Sequence, residues 1–204
     1  MGTREAKKLD KQRRIEAAGM DEFLAHGFAA ATVDRIVERA GVARGTYYLY
    51  YPDKDALLAV LLARVGDPLV AAVHAASAAL SEGREPFTTY AALGEALSAV
   101  LQGNRDGARL LQREDRSRGP GGEAARAYSR ALHALTRHIL DDAVRRGILR
   151  AHDTHAVGLA IVGGVERLTQ AWLDPFEGEP PLAPEQVTAE LIGLFTWGLA
   201  AGRG

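Results

Sequence analysis

The 204-residue chain contains no cysteine. That absence removes disulfides, thiolate metal sites, catalytic thiols and thiol redox sensing together. β-Branched runs are few and alanine, leucine and glycine dominate, a balance that favours helix over sheet. The opening run MGTREAKKLDKQRR lacks the apolar segment of a signal peptide. Nor is an apolar stretch of membrane-spanning length expected, the nearest candidates being broken by Glu166, Arg167 and Glu190. A cytoplasmic protein without a membrane partner is the expectation. Catalytic signatures are missing too. His133 and His138 stand off a common helical face, and His152 and His155 have no carboxylate at a spacing that completes a metal site. No residue is marked as a nucleophile beside its base. The GPGG run lacks the Gly-Lys-Ser/Thr ending of a phosphate loop and follows no strand. No enzyme, metal or cofactor is expected.

What is present is apolar material for a core, 47% of the chain, with a net charge of −1. The charge is unevenly spread. Arg4, Lys7, Lys8, Lys11, Arg13 and Arg14 face only Glu5 and Asp10 in the first fourteen residues, an excess of four. By itself such a cluster is a solvated terminus; beside an anion-binding surface it becomes a basic arm.

Helical spacing of Ile15, Ala18, Gly19 and Phe23 predicts a helix from about Asp10 to His26, closed by Gly27. Thr32 is an N-cap for a second helix carrying Val33, Ile36 and Val37 on one face and Asp34, Arg35, Glu38 and Arg39 on the other. Gly41 ends it. A third helix is expected from about Ala43 to Tyr50, stopped by Pro52, with Asp53 capping a fourth. Two short helices around a tight glycine turn form a helix-turn-helix, whose second member enters the major groove. Ile15, Phe23, Phe28, Val33, Ile36, Val42 and Leu57 can supply its core. Residues 58–204 read as helices separated at Gly66-Asp67-Pro68, Glu82 to Pro86, Gly103-Asn104, Gly119 to Gly122, Gly147 to Asp153 and Asp174 to Pro184.

The segment GVARGTYYLYYPDKDAL holds Tyr47, Tyr48, Tyr50 and Tyr51. Buried phenols each need a partner, whereas a phosphate-gripping surface uses them freely. The order Ile15, Ala18, Gly19, Phe23, Gly27-Phe28, Thr32, Ala40-Gly41-Val42, Gly45-Thr46-Tyr47-Tyr48, Tyr50-Tyr51, Lys54 and Leu57 resembles the DNA-binding domain of TetR/AcrR-type transcriptional regulators. The resemblance covers about a quarter of the chain. Ala43 stands where the family usually has a capping serine, which should cost about 1 kcal/mol. Tyr51 stands where a phenylalanine is usual, so its hydroxyl needs a partner. Ala31 replaces the first of two threonines often found before the second helix, and Val37 a small alanine.

The resemblance implies an all-α protein: a three-helix helix-turn-helix DNA-binding domain over residues 1–57 and a helical effector-binding and dimerisation domain over 58–204. On a helical wheel Arg44, Tyr48 and Tyr51 lie within about 60° of each other. Tyr51 is assigned to packing, Tyr48 and Tyr50 to phosphates, and Tyr47 to the groove, where its ring can meet a thymine methyl. Arg44 is the candidate for bidentate contact with guanine, and Gly45 allows close approach. Thr32, Thr46 and Lys54 lie near helix N-termini that can hold phosphates. Lys11, Arg13 and Arg14 are expected near the DNA backbone or minor groove.

One such module reads few bases, so a homodimer on a double-stranded palindromic operator is expected. Its interface is assigned to Ile161, Val165 and Leu168 in the helix from about His155 to Leu173, and to Leu191, Phe195 and Leu199 in a final helix, about Pro184 to Ala201. A small-molecule effector is implied, with Phe87, Tyr90, Tyr128, His133 and Trp172 as candidate pocket residues. The expected function is a ligand-released repressor. An architectural DNA-binding protein without effector and a transcriptional activator are the alternatives.

Overall fold

The first helix starts earlier than its apolar spacing suggests. In the computed structural model, which describes residues 3–117, 119–175, 177–178, 180, 182–183, 190 and 193, α1 spans Thr3–Ala30. Its extra turns are built from Ala, Glu, Lys and Arg, all good helix formers. The basic arm is therefore helical. Gly27, at φ 78 and ψ 158, breaks the helical path near the end of α1, a left-handed φ that favours glycine.

The following elements are α2 (Val33–Ala40), α3 (Arg44–Tyr48), α4 (Lys54–Ser81), α5 (Pro86–Gly103), α6 (Arg105–Asp115), α7 (Pro120–Arg145) and α8 (Thr154–Leu173), with no strand among the described residues. They divide into two compact units. One comprises Met1–Gly66 with Asp106–Arg126, the other Asp67–Arg105 with Ala127–Gly204. The junction expected at residues 57 and 58 falls inside α4.

In the first unit the local signals work as read. Thr32 Oγ1 accepts from Arg35 N at 3.3 Å, and Gly41 adopts φ 62 as its amide donates to Glu38 O. Val42 N then donates to Val37 O at 3.1 Å, completing the turn. Ala43 supplies no side-chain cap to α3. Ile15, Phe23, Phe28, Ile36, Leu57, Leu58, Leu61 and Leu62 form the buried core, with Val33 and Val42 half-buried at its edge. α6 joins this unit at the end of α1. Its buried Glu114 accepts from Phe28 N at 3.2 Å, and the Arg113 guanidinium donates to Leu24 O.

The second unit is built on aliphatic packing. Val73, Leu80 and Ile139 gather Tyr90, Leu93, Leu97, Leu132 and Leu135 around them. Leu140, Ala143 and Leu149 do the same with Val144, Ile148, Val157 and Ile161. Glu85 caps α5 by accepting from Phe87 N and Thr88 N at 2.9 and 2.7 Å, ahead of Pro86 in the first turn.

Three expectations need correction. The break at Gly66-Asp67-Pro68 does not occur, because α4 continues through Pro68. Leu61, Val65, Leu69, Val73, Ala76 and Leu80 are buried at three- and four-residue steps on both sides of it. That continuous apolar stripe outweighs the lost hydrogen bond, about 3 kcal/mol. Gly121 and Gly122 belong to the first turns of α7 rather than to a loop. Contrary to the reading above, α4 is also long and apolar enough, by length and composition, to cross a membrane; a core helix passes the same test, and its stripe is buried in protein. The final helix expected from Pro184 lies outside the described residues.

Gly19 of α1 faces Leu57, and a Cβ there would stand 2.5 Å from Leu57 Cδ2. The substitution Gly19→Ala is expected to destabilise the fold by about 1–3 kcal/mol through overpacking, read as a lowered midpoint in thermal or urea unfolding.

Candidate nucleic-acid interface

α3 is five residues long, far below the length at which a helix holds itself in water. It must be fastened from beneath. Tyr47 is fully buried, and its hydroxyl donates to Asp53 O at 3.0 Å. Its ring meets Tyr48 edge-on at 5.5 Å and Tyr51 at 5.8 Å. Tyr51 is buried as well, and its hydroxyl donates to Glu16 Oε1 at 2.6 Å. That answers the need created by a tyrosine at a core position.

Glu16 is a buried carboxylate with a full set of donors. Besides Tyr51 it accepts from Gln12 Nε2 at 3.0 Å and from the Arg64 guanidinium of α4. Burial alone would raise its pKa, but the bonds from Tyr51, Arg64 and Gln12 outweigh burial and hold the carboxyl below its ordinary range. Burial and the bond to Glu16 push the Tyr51 hydroxyl up to about 12. Burial, aided by the Asp53 carboxylate, pushes Tyr47 up as well.

The opposite side of α3 is open. Tyr48 is 45% and Leu49 82% exposed. The Arg44 guanidinium donates to Tyr48 Oη at 3.4 Å and pairs with Asp34 of α2. Gly45 has open space where a Cβ would be. Thr32 is exposed and Thr46 half-buried.

Several residues stand where the sequence reading did not put them. Tyr47 is not a groove residue, since complete burial leaves no ring face for a thymine methyl. Leu49, at about 200° from it on the helix, is the apolar side chain presented outward; its alternation with Tyr47 was the signal available. The Tyr50 hydroxyl donates to Lys8 O at 3.0 Å. The Lys54 ammonium donates to Phe28 O at 2.7 Å, Ala31 O at 3.1 Å and Ala29 O at 3.3 Å, and lies 4.4 Å from the Phe28 ring centroid. It neutralises the carbonyl end of α1 rather than presenting itself to an anion. Arg14 similarly donates to Ala40 O and Gly41 O at the end of α2. Lys11 and Arg13 are exposed.

The candidate effector residues are all in the second unit. Tyr90 packs on the Val73, Leu80 and Ile139 cluster. The Tyr128 hydroxyl donates to Asp67 Oδ1 at 2.7 Å, and Arg105 lies over the Trp172 ring at 5.0 Å. His133 is half-buried and Phe87 exposed. No hydrogen bond or ring contact among the described residues joins these five to each other. Of the dimerisation candidates, Ile161 packs inside its own unit, Val165 and Leu168 are half-buried, and Leu191, Phe195 and Leu199 lie outside the described residues.

Glu16→Gln is expected to cost about 2 kcal/mol at neutral pH by removing the charge that Arg64 and Tyr51 answer. The folded state favours ionised Glu16, so its contribution is complete above the ordinary value of 4.5 and fades as pH falls through the depressed folded value. Unfolding followed against pH should therefore show the wild type converging on the variant below that range.

Residues 15–61 match the family described as bacterial regulatory proteins, tetR family. Over 200 residues the chain is 25% identical to the HTH-type transcriptional activator FasR of Mycolicibacterium smegmatis, covering 97% of this chain and 87% of that one. Over 96 residues it is 31% identical to the HTH-type transcriptional regulator RutR of Escherichia coli, covering 47% and 42% respectively. Among solved structures it is similar to Thermus thermophilus FadR, a TetR-family repressor in complex with lauroyl-CoA. That match has a TM-score of 0.61 at 25% identity over 94% of this chain and 96% of the other. With a helix-turn-helix whose second helix is fastened below and open above, this chain matches the tetR family of bacterial regulatory proteins over residues 15–61, and the relatives it is similar to are transcriptional regulators.

Proposed function

We propose that the protein is a ligand-responsive repressor that binds a palindromic operator as a homodimer and is released by a small molecule. The observation that carries this reading is the exposed row of Arg44, Tyr48 and Leu49 on a helix anchored through Tyr47 and Tyr51. Arg44 reads a guanine edge through a bidentate pair, Leu49 meets a thymine methyl, and Gly45 lets the backbone approach. Thr32, Thr46 and Tyr48 hold phosphates, with Lys11 and Arg13 adding salt-dependent affinity. Residues 1–57 form the DNA-binding domain and 58–204 the effector and dimerisation domain. Exposed Leu159 and the open space beside Gly163 on α8 support pairing with a second copy near Val165 and Leu168.

For the effector, an amphipathic molecule with a long acyl chain is the reading favoured. Its support is the likeness to T. thermophilus FadR and the aliphatic cluster around Val73, Leu80 and Ile139 beside Tyr90. Activation instead of repression is the second reading, favoured by the likeness to FasR.

The test begins with selecting duplexes from a randomised pool using the full-length protein, followed by anisotropy at physiological salt. Arg44→Ala is expected to weaken binding to the selected duplex by about 5- to 150-fold and binding to a shuffled duplex far less. Lauroyl-CoA, but not coenzyme A, should release the selected duplex, and transcription from a promoter carrying it should fall when the protein is added. No enrichment from the pool would overturn sequence-specific regulation; rising transcription would establish the activator.

A further inference from the structure

Three charges of α2 are divided between its two neighbours. Arg35 turns to buried Glu22 of α1 at 3.4 Å, and Arg39 to Asp21 of α1 at 3.6 Å. Asp34, in the first turn of α2, turns the other way and pairs with Arg44 at the start of α3. Both members of this pair are well exposed, with 69% and 57% of their side-chain surfaces open. The guanidinium is held from a second side, where Nη2 donates to Tyr48 Oη at 3.4 Å and the cation lies 5.9 Å from the Tyr48 ring centroid. Two of the five guanidinium N–H groups are thus engaged, and three remain to bond a ligand.

An exposed ion pair contributes little to stability. Its position matters more than its strength. An acidic side chain on a surface facing phosphates repels every DNA sequence equally, unless something it holds is repaid by one sequence only. A free arginine at that place samples many rotamers and can settle on any phosphate, whereas a guanidinium held at two points presents its remaining N–H groups in one orientation.

We propose that Asp34 is a specificity-determining positioning residue: it holds Arg44 across the gap between α2 and α3 in the orientation that reads a base, and its own charge penalises DNA that offers no matching base. This rests on Arg44 reading a base, as proposed above. It adds a residue that need not touch DNA, and it assigns opposite effects to two neighbouring charges. Losing Arg44 weakens the matched complex, while losing the Asp34 charge strengthens the unmatched one.

The experiment uses the full-length protein, a duplex selected from a randomised pool and its shuffled counterpart. Asp34→Asn is expected to tighten binding to the shuffled duplex several-fold and to lower the ratio of selected to shuffled affinity by about tenfold. Its salt slope on the shuffled duplex should steepen by about one unit. Asp34→Glu, which keeps the charge, should hold the shuffled affinity down. In an Arg44→Ala background Asp34→Asn should leave the affinity ratio where Arg44→Ala put it. Equal tightening on both duplexes would overturn the proposal, reducing Asp34 to a general charge. A lower melting temperature with both affinities unchanged would overturn it too, reducing Asp34 to a partner of the α2 dipole. Should Arg44→Ala alone leave the ratio intact, base reading by Arg44 fails, and that result is visible independently of the Asp34 variants.

Discussion

A recognition helix of five residues has no stability of its own, and the arrangement of the DNA-binding unit follows from that constraint. Each side chain on the lower side of α3 must reach a fixed point in the rest of the unit. Tyr47 fills the core and ties itself to the Asp53 carbonyl just ahead of α4. Tyr51 reaches back to Glu16 of α1, which Arg64 of α4 holds in turn. One buried carboxylate therefore links α1, the segment following α3, and α4. Once the underside is fastened, Tyr48 and Leu49 project outward, and Arg44 beside them is held by Asp34 and the Tyr48 hydroxyl.

The same economy governs the cations. Read as a linear sequence, Arg14 and Lys54 belong to a basic, DNA-facing set. In the structure each closes the carbonyl end of a helix: Lys54 that of α1, and Arg14 that of α2. Arg35 and Arg39 neutralise acids on α1. With a net charge of −1 and so many cations engaged internally, the proposed DNA binding draws its electrostatic affinity from a small exposed group, Lys11, Arg13 and Arg44 among them. That favours discrimination over indiscriminate binding.

The helix-turn-helix was legible because its signals are local. Thr32 and Gly41 act within four residues of their own positions, and the spacing of Ile15, Phe23 and Ile36 marks the core. The Glu16 network was not legible, since its partners lie 35 and 48 residues away and no periodicity marks a buried carboxylate. Tyr47 was misplaced because resemblance identified the segment as DNA-facing, whereas a helix that short must turn one tyrosine fully inward. Local punctuation also misled at Pro68, where a long apolar stripe carries α4 past a proline. The effector pocket left the weakest trace, because aromatic residues among aliphatic ones read the same whether they pack or line a cavity.

On the proposed function, neighbouring tyrosines do opposite work, Tyr47 holding the helix and Tyr48 holding DNA. The most direct measurement is a paired one on Tyr47→Phe and Tyr48→Phe, with unfolding free energy and affinity for a selected duplex determined for each. A crossed result is expected. Tyr47→Phe should lose about 1 kcal/mol of stability and keep its affinity when folded, whereas Tyr48→Phe should keep its stability and bind several-fold more weakly. Loss of affinity at unchanged stability in Tyr47→Phe, with Tyr48→Phe unaffected in both, would contradict it.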